Sequence, residues 1–186
     1  MPERFEQALA STGAELARSG SDTDRAQHGR VAAMGATVAA WCEQLGASRV
    51  PASLDHNDLH PWNILGTGPG PTRFYDWGDS VVAHPFAAML VPLGMLRRLL
   101  DVPLDDPRFL RARDAYLDGF APLAPGKDLA GTLAVACRVA KIARVLTWDR
   151  ALEASRAQGE AIPDSWATAP LETLVSLLDD AYVGGA

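Results

Sequence analysis

The sequence predicts a mainly α domain carrying one short β-hairpin. Apolar residues recur at helical spacing through most of the 186 residues. Two short apolar runs flank the Gly/Pro-rich stretch Gly66 to Pro71, the mark of a hairpin. Histidine, aspartate and asparagine crowd around that hairpin, so the unusual chemistry sits there. A chain of this length makes one sizeable domain and buries roughly 70% of the surface exposed by its unfolded form.

Phe5, Leu9, Thr12 and Leu16 fall near helical spacing and predict a helix over 3–19. Gly20 to Thr23 break it, and Asp24 or Thr23 caps a second helix. Its stripe is Val31, Met34, Val38, Trp41 or Cys42, and Leu45, and Gly46 to Pro51 end it. Residues 52–62 show no clean period. Asn63-Ile64-Leu65 and Arg73-Phe74-Tyr75 supply the hairpin arms. After Gly78 the chain is expected to turn helical. Pro85 suits the first turn of a helix running toward Leu100, which Pro92 should kink or split. Asp106-Pro107 is an N-cap followed by a first-turn proline and opens a helix to about Phe120. The longest helical pattern covers 127–155, with Leu133, Ala136 or Cys137, Ala140, Ala143 or Arg144, and Trp148. A last helix spans about Pro170 to Tyr182. The single domain 1–186 divides into leading helices over 1–50, the polar loop with its hairpin over 51–80, and a helical subdomain over 81–186.

Apolar residues make up 48% and charged residues 22% of the chain, an ordinary globular balance. The net charge of −6 argues against sequence-independent nucleic-acid binding, which needs clustered Lys and Arg. Cys42 and Cys137 lie alone on apolar segments and read as core thiols in a reducing compartment. No apolar run reaches the ~18 residues of a membrane span, and the polar start Met1-Pro2-Glu3-Arg4 lacks a signal-peptide core. A cytoplasmic protein is expected.

The polar stretch reads His56-Asn57-Asp58-Leu59-His60-Pro61-Trp62-Asn63-Ile64-Leu65, and the second hairpin arm runs into Tyr75-Asp76-Trp77-Gly78-Asp79. Asp58 and Asn63 share one irregular loop, and the hairpin returns Asp76 beside Asn63. Two carboxylates and an amide oxygen therefore converge at one end of the hairpin. These are hard donors, suited to Mg²⁺ rather than a soft metal. Unscreened repulsion between two carboxylates ~4 Å apart is about 4 kcal/mol at an effective dielectric of ~20, and a divalent cation reverses its sign. Mg²⁺ prefers one or two protein carboxylates plus substrate phosphates, so a phosphorylated co-ligand is implied.

This segment resembles the catalytic loop H-x-D-L-x-x-x-N of protein kinases and their small-molecule relatives. His60 followed by Pro-x-Asn, with Asp76-Trp77-Gly78 at the D-F-G position and the trailing Ala83-His84-Pro85-Phe86-Ala87, is similar to the aminoglycoside phosphotransferase and choline kinase superfamily. The resemblance covers 54–87 as recognisable sequence and about 24–150 as an arrangement of elements. It implies an ATP-dependent transferase that phosphorylates a hydroxyl of a small molecule such as an aminoglycoside, choline, homoserine or a sugar-like metabolite. Asp58 would orient the acceptor hydroxyl and take its proton. Asn63 and Asp76 would hold Mg²⁺ against the ATP phosphates. Ile64 or Leu65 would floor the adenine, and His56 would hydrogen-bond the loop carrying Asp76. His60 would position Asp58 or the transferring phosphate. Asp79 stands either as a helix cap or as a group reaching metal or acceptor. Late helices line the acceptor site in this superfamily, which brings Asp149 into view as a partner for a cationic acceptor.

Residues 1–55 contain no G-x-G-x-x-G and no lysine. The chain thus reads as the C-terminal lobe of a kinase-like fold with its N-terminal lobe absent, giving weak nucleotide affinity and little activity alone. Its uncovered cleft face near Trp62, Ile64 and Leu65 would favour self-association. Two other readings compete: a non-catalytic lobe binding a ligand or partner, and a zinc hydrolase using His56, Asp58, His60 and His84.

Overall fold

The computed structural model of the chain describes residues 1–66 and 70–184. Thr67, Gly68 and Pro69, at the expected hairpin loop, lie outside the described residues. The chain opens with α1 (Pro2–Ser19), α2 (Asp22–Ala32) and α3 (Gly35–Gly46). Strand β1 (Ser53–Asp55) follows, then β2 (Ile64–Leu65), β3 (Arg73–Phe74) and β4 (Val81–Ala83). Helices α4 (Leu90–Leu100), α5 (Pro107–Asp118), α6 (Leu129–Ala157), α7 (Asp164–Ala167) and α8 (Ala169–Val175) complete it. No helix among the described residues is long and apolar enough to cross a membrane.

Helix α6 is the axis of the packing. Its first half places Leu133, Ala136, Cys137 and Ala140 in a cluster with Phe86, Leu93, Phe109 and Leu117. Its second half places Ile142, Val145 and Leu146 in a cluster with Phe5, Ala8, Val31, Val38 and Leu174. Phe5, Phe86 and Phe109 are fully buried, each contributing about 1.5–3 kcal/mol by burial. Asp128 caps this long helix by accepting from Gly131 N at 2.8 Å. Asp106 does the same for α5, accepting from Arg108 N, with Pro107 in the first turn as expected.

Several expectations need correction. The second helix is two helices, because the chain turns at Ala33–Met34, where Met34 N donates to Val31 O and Gly35, a poor helix former, follows. The apolar stripe survives the turn, since Val31, Met34, Val38, Trp41 and Cys42 all meet one cluster. The α2 cap is neither Thr23 nor Asp24 but Ser21, in a reciprocal capping box with Asp24. Before Pro85 the chain is not yet helical. A 3-10 turn (Trp77–Asp79) and β4 intervene, and β4 pairs antiparallel with β1 in the register Leu54↔Val82. Pro92 splits nothing itself. A 3-10 turn over Pro85–Met89 precedes α4, and Pro92 falls in the first turn of α4, where its missing N–H costs little.

The last helix stops well short of Tyr182. Helix α8 gives way to a 3-10 turn (Ser176–Leu178), and cations from α6 take the carbonyls beyond it. Arg138 donates to Asp179 O at 2.9 Å and Asp180 O at 2.7 Å, and Lys141 to Ser176 O at 2.9 Å and Ala181 O at 3.2 Å. Carbonyls bonded this way no longer need a continuing helix. Cys137 is buried and Cys42 half-buried, both as free thiols.

Candidate functional site

The hairpin pairs Ile64 with Phe74 and Leu65 with Arg73, and Tyr75 N donates to Asn63 O at 3.0 Å. This register seats Tyr75 opposite Asn63 and makes Asp76 the next residue along. Two residues in left-handed backbone mark the site, Asn57 at φ 62° and Asp76 at φ 58°. Asp and Asn tolerate that region better than other residues bearing a Cβ, and such outliers cluster at functional sites. His56 is buried. Its Nε2 donates to Tyr75 O at 2.6 Å, and its ring stands 4.8 Å from that of Trp77. The residue before the loop is thereby tied to the residue before Asp76.

Asn63 is buried and its amide is oriented by chemistry. Its Nδ2 lies 3.1 Å from Asp58 O, a carbonyl that can only accept. The Oδ1 of Asn63 is therefore turned away from that contact as a free hard donor. The same Nδ2 sits 3.3 Å from His60 Nε2, which must accept, leaving the ring proton on Nδ1. His60 Nε2 is 3.7 Å from Asp58 Oδ2, too long for a hydrogen bond. Asp76 is exposed, and the described residues give its carboxylate no hydrogen bond or ion pair. An amide oxygen and a carboxylate are hard donors, the kind that suit a cation keeping several waters or phosphate oxygens.

Asp58 is held from α6. Arg144 Nη1 reaches its Oδ1 at 2.7 Å, and the Arg144 guanidinium stacks 5.0 Å over the ring of Trp148. One turn along, Thr147 Oγ1 accepts from Asn57 Nδ2 at 2.9 Å. Arg150 donates to Thr147 Oγ1 at 3.2 Å and to Asp79 at 2.9 Å. Asp79 is thus an ion-pair partner and caps no helix. Sequence reading missed Arg144, Thr147 and Arg150 as site residues. Helical spacing alone put Arg144 on the inner face of α6, and no local signal joins it to a loop 86 residues earlier.

Asp149 departs from expectation. It turns toward α1, where Ser11 hydrogen-bonds it, and burial pushes its carboxyl up with help from Glu153 and Glu15. Arg144 and Thr147 face the loop, and Trp148 packs against Arg144 and Trp166. Position 149 lies about 100° further round the helix than Trp148 and looks elsewhere. His84 also leaves the site. Its Nδ1 accepts from Phe86 N at 3.3 Å, and its Nε2 meets Ser48 Oγ at 3.1 Å. Burial lowers its pKa. Among the described residues no three His, Cys, Asp or Glu side chains group as a metal set, so the zinc reading has no ligand set there.

Apolar side chains crowd the surface around the hairpin. Trp62 is 75% exposed, Leu65 53%, and Phe74, Tyr75 and Trp77 are each nearly half exposed. Ile64 is half-buried. On the separate β1–β4 pair, Leu54 and Val82 are also exposed. Trp62, named with Ile64 and Leu65 as part of an uncovered face, is exposed there.

The sequence profile of the phosphotransferase enzyme family (APH) matches residues 2–125. The matched stretch contains the whole 56–79 constellation and ends before α6. No curated protein and no solved structure matches the chain.

Proposed function

The chain belongs to the phosphotransferase enzyme family, and from that premise we propose that it is the catalytic half of an ATP-dependent kinase acting on a hydroxyl of a small molecule. The reading is supported by Asp58 and Asn63 sharing one loop that leads into the hairpin whose second arm carries Asp76. The loop presents a carboxylate at Asp58, and the hairpin register sets Asp76 one residue beyond the partner of Asn63. In this reading Asp58 accepts the proton of the acceptor hydroxyl. That oxygen bonds to the γ-phosphorus as the bond to the β–γ bridging oxygen breaks, and ADP leaves. Asn63 Oδ1 and the Asp76 carboxylate would hold Mg²⁺, which when bound neutralises charge on the phosphates. His60 orders the loop through Asn63, and His56 ties it to the strand end bearing Asp76.

The chain reads as the C-terminal lobe of the kinase-like fold, cytoplasmic in setting. The exposed apolar face at Trp62, Leu65, Phe74 and Trp77 is what a second lobe would cover, and Ile64 and Leu65 would floor the adenine beneath it. Positioning supplies up to ~7–11 kcal/mol of barrier reduction, whereas a placed base adds only ~10²–10⁴-fold. A half-site alone therefore binds nucleotide weakly and turns over slowly. The non-catalytic alternative is a lobe that binds a ligand or partner without transferring phosphate.

Paramagnetic broadening separates the two. Mn²⁺ added with a non-hydrolysable ATP analogue should broaden backbone resonances of 62–64 and 75–77 selectively, and the Asp76→Ala variant should lose the effect. Labelled phosphate should pass from ATP to hydroxyl acceptors, and Asp58→Asn should abolish it. Broadening with no transfer under any condition would favour the binding-only lobe. Uniform broadening would remove the metal assignment.

A further inference from the structure

The corner where α6 meets the Asp58 loop holds donors without acceptors. Arg144 spends Nη1 on Asp58, yet its Nε is buried and has no partner. The indole nitrogen of Trp148, on which that guanidinium stacks, is also buried and unpartnered. Both N–H groups can only donate. Buried donors are nearly always matched, so two orphans in contact side chains ask for an acceptor. The guanidinium already shares its charge with Asp58, so what it still offers an oxyanion is a charge-assisted N–H rather than an unpaired cation. The planar fork of an arginine fits carboxylate and phosphate alike.

Local charge at the site is balanced rather than acidic, unlike the net charge of the chain. Helix α6 brings Arg144 and Arg150 to the site, each matching one carboxylate, Asp58 and Asp79. Asp149, the acidic side chain expected to receive a cationic acceptor, faces α1 instead.

We propose that the Arg144–Trp148 corner is an oxyanion site, and that the hydroxyl compound phosphorylated here carries a carboxylate or phosphate group that docks on it. The inference rests on the phosphotransferase reading. The oxyanion takes Arg144 Nε and the Trp148 indole N–H while Nη1 stays on Asp58. The acceptor is thereby tethered beside the carboxylate that receives its hydroxyl proton, and a quaternary amine would meet a guanidinium instead.

Calorimetry on the full chain without nucleotide tests this, with glycerate, glycerol 3-phosphate, glycerol and choline at constant ionic strength. At least one oxyanion should bind saturably at millimolar concentration, at least tenfold tighter than glycerol or choline, and the stronger of the two identifies the group. Arg144→Lys keeps the charge and loses the Nε fork, and should weaken binding at least tenfold. Trp148→Phe keeps the ring and loses the donor, and should weaken it severalfold. It should also remove the ligand-induced change in tryptophan fluorescence, a signature that loss of packing alone would not produce. The site is overturned if no oxyanion binds, if glycerol or choline binds as well, or if both variants bind unchanged. Since no nucleotide is present, intact oxyanion binding with no phosphoryl transfer would sink the transferase reading alone.

Discussion

Arg144 on α6 reaches across 86 residues of sequence to hold Asp58 at 2.7 Å. The arginine is the more buried partner, with 11% of its side chain exposed against 21% for the aspartate. Removing the carboxylate therefore strands the worse-solvated charge. Asp58→Ala should destabilise the fold by about 2–3 kcal/mol, less than the ~3–5 of a fully buried pair because solvent still touches both groups. Arg144→Met should cost less. A double-mutant cycle in urea should give a coupling of about 1–2 kcal/mol, and additive effects would show the pair to be energetically idle.

His56 ties the loop to the hairpin through Tyr75 O. His56→Ala removes that bond and the ring contact with Trp77, at a cost of about 1–2 kcal/mol. The loss is local, so amide exchange at 63–65 and 73–77 should quicken while α6 keeps its protection. Uniform quickening would mean that His56 supports the whole fold rather than the hairpin.

Lys141 is fully buried among carbonyls, and its pKa is lowered to about 8, chiefly by burial and then by the nearby charge of Arg138. The folded state thus releases this proton more readily than the unfolded chain, whose lysine titrates near 10.5. Between those values the unfolded state binds more protons, so the lysine's contribution to stability rises with pH. The gain is on the order of 3 kcal/mol. Burial raises the pKa of Tyr116, to about 12, and of Cys137, and both oppose this trend above pH 9. The test is consequently the difference between wild type and Lys141→Met in chemical denaturation, which should grow from pH 8 to 10. A flat difference would place the lysine's proton outside that window.

The apolar face around the hairpin should drive association. Sedimentation of the chain should show concentration-dependent dimers, and a Trp62→Ser, Leu65→Ser double variant should remain monomeric with unchanged thermal stability. A wild-type monomer at every concentration would show that this face does not self-associate.

Much of the framework could be read from residue order because its causes are local. Asp106-Pro107 starts α5 where a cap and a first-turn proline say it should, and the apolar runs on either side of the Gly/Pro stretch pair as β2 and β3. The β1–β4 pair was missed because three-residue strands carry too little alternation to register, and their partners stand far apart in sequence. The end of α8 was misplaced because cations on another helix take its carbonyls. Asp58, Asn63 and Asp76 could be picked out as a group because one loop and one hairpin carry all three within a short stretch of sequence. Arg144 and Arg150 were not, since only the packing of α6 against both clusters delivers them. Asp149 was chosen because late helices line the acceptor site in the superfamily, but the face of α6 it occupies turns toward α1.

The dependence of the Asp58 loop on α6 also has a consequence in time. A ribosome adds about 5–20 residues per second, so Asp58 is made roughly 4–17 s before the arginine that pairs with it. Through that interval the loop and hairpin exist as nascent chain with no helix behind them, and no tethered Asp58 can form. The site is completed only by late translation, and a ribosome stalled between the hairpin and α6 would carry every residue of the proposed metal clamp without the brace that orients its base.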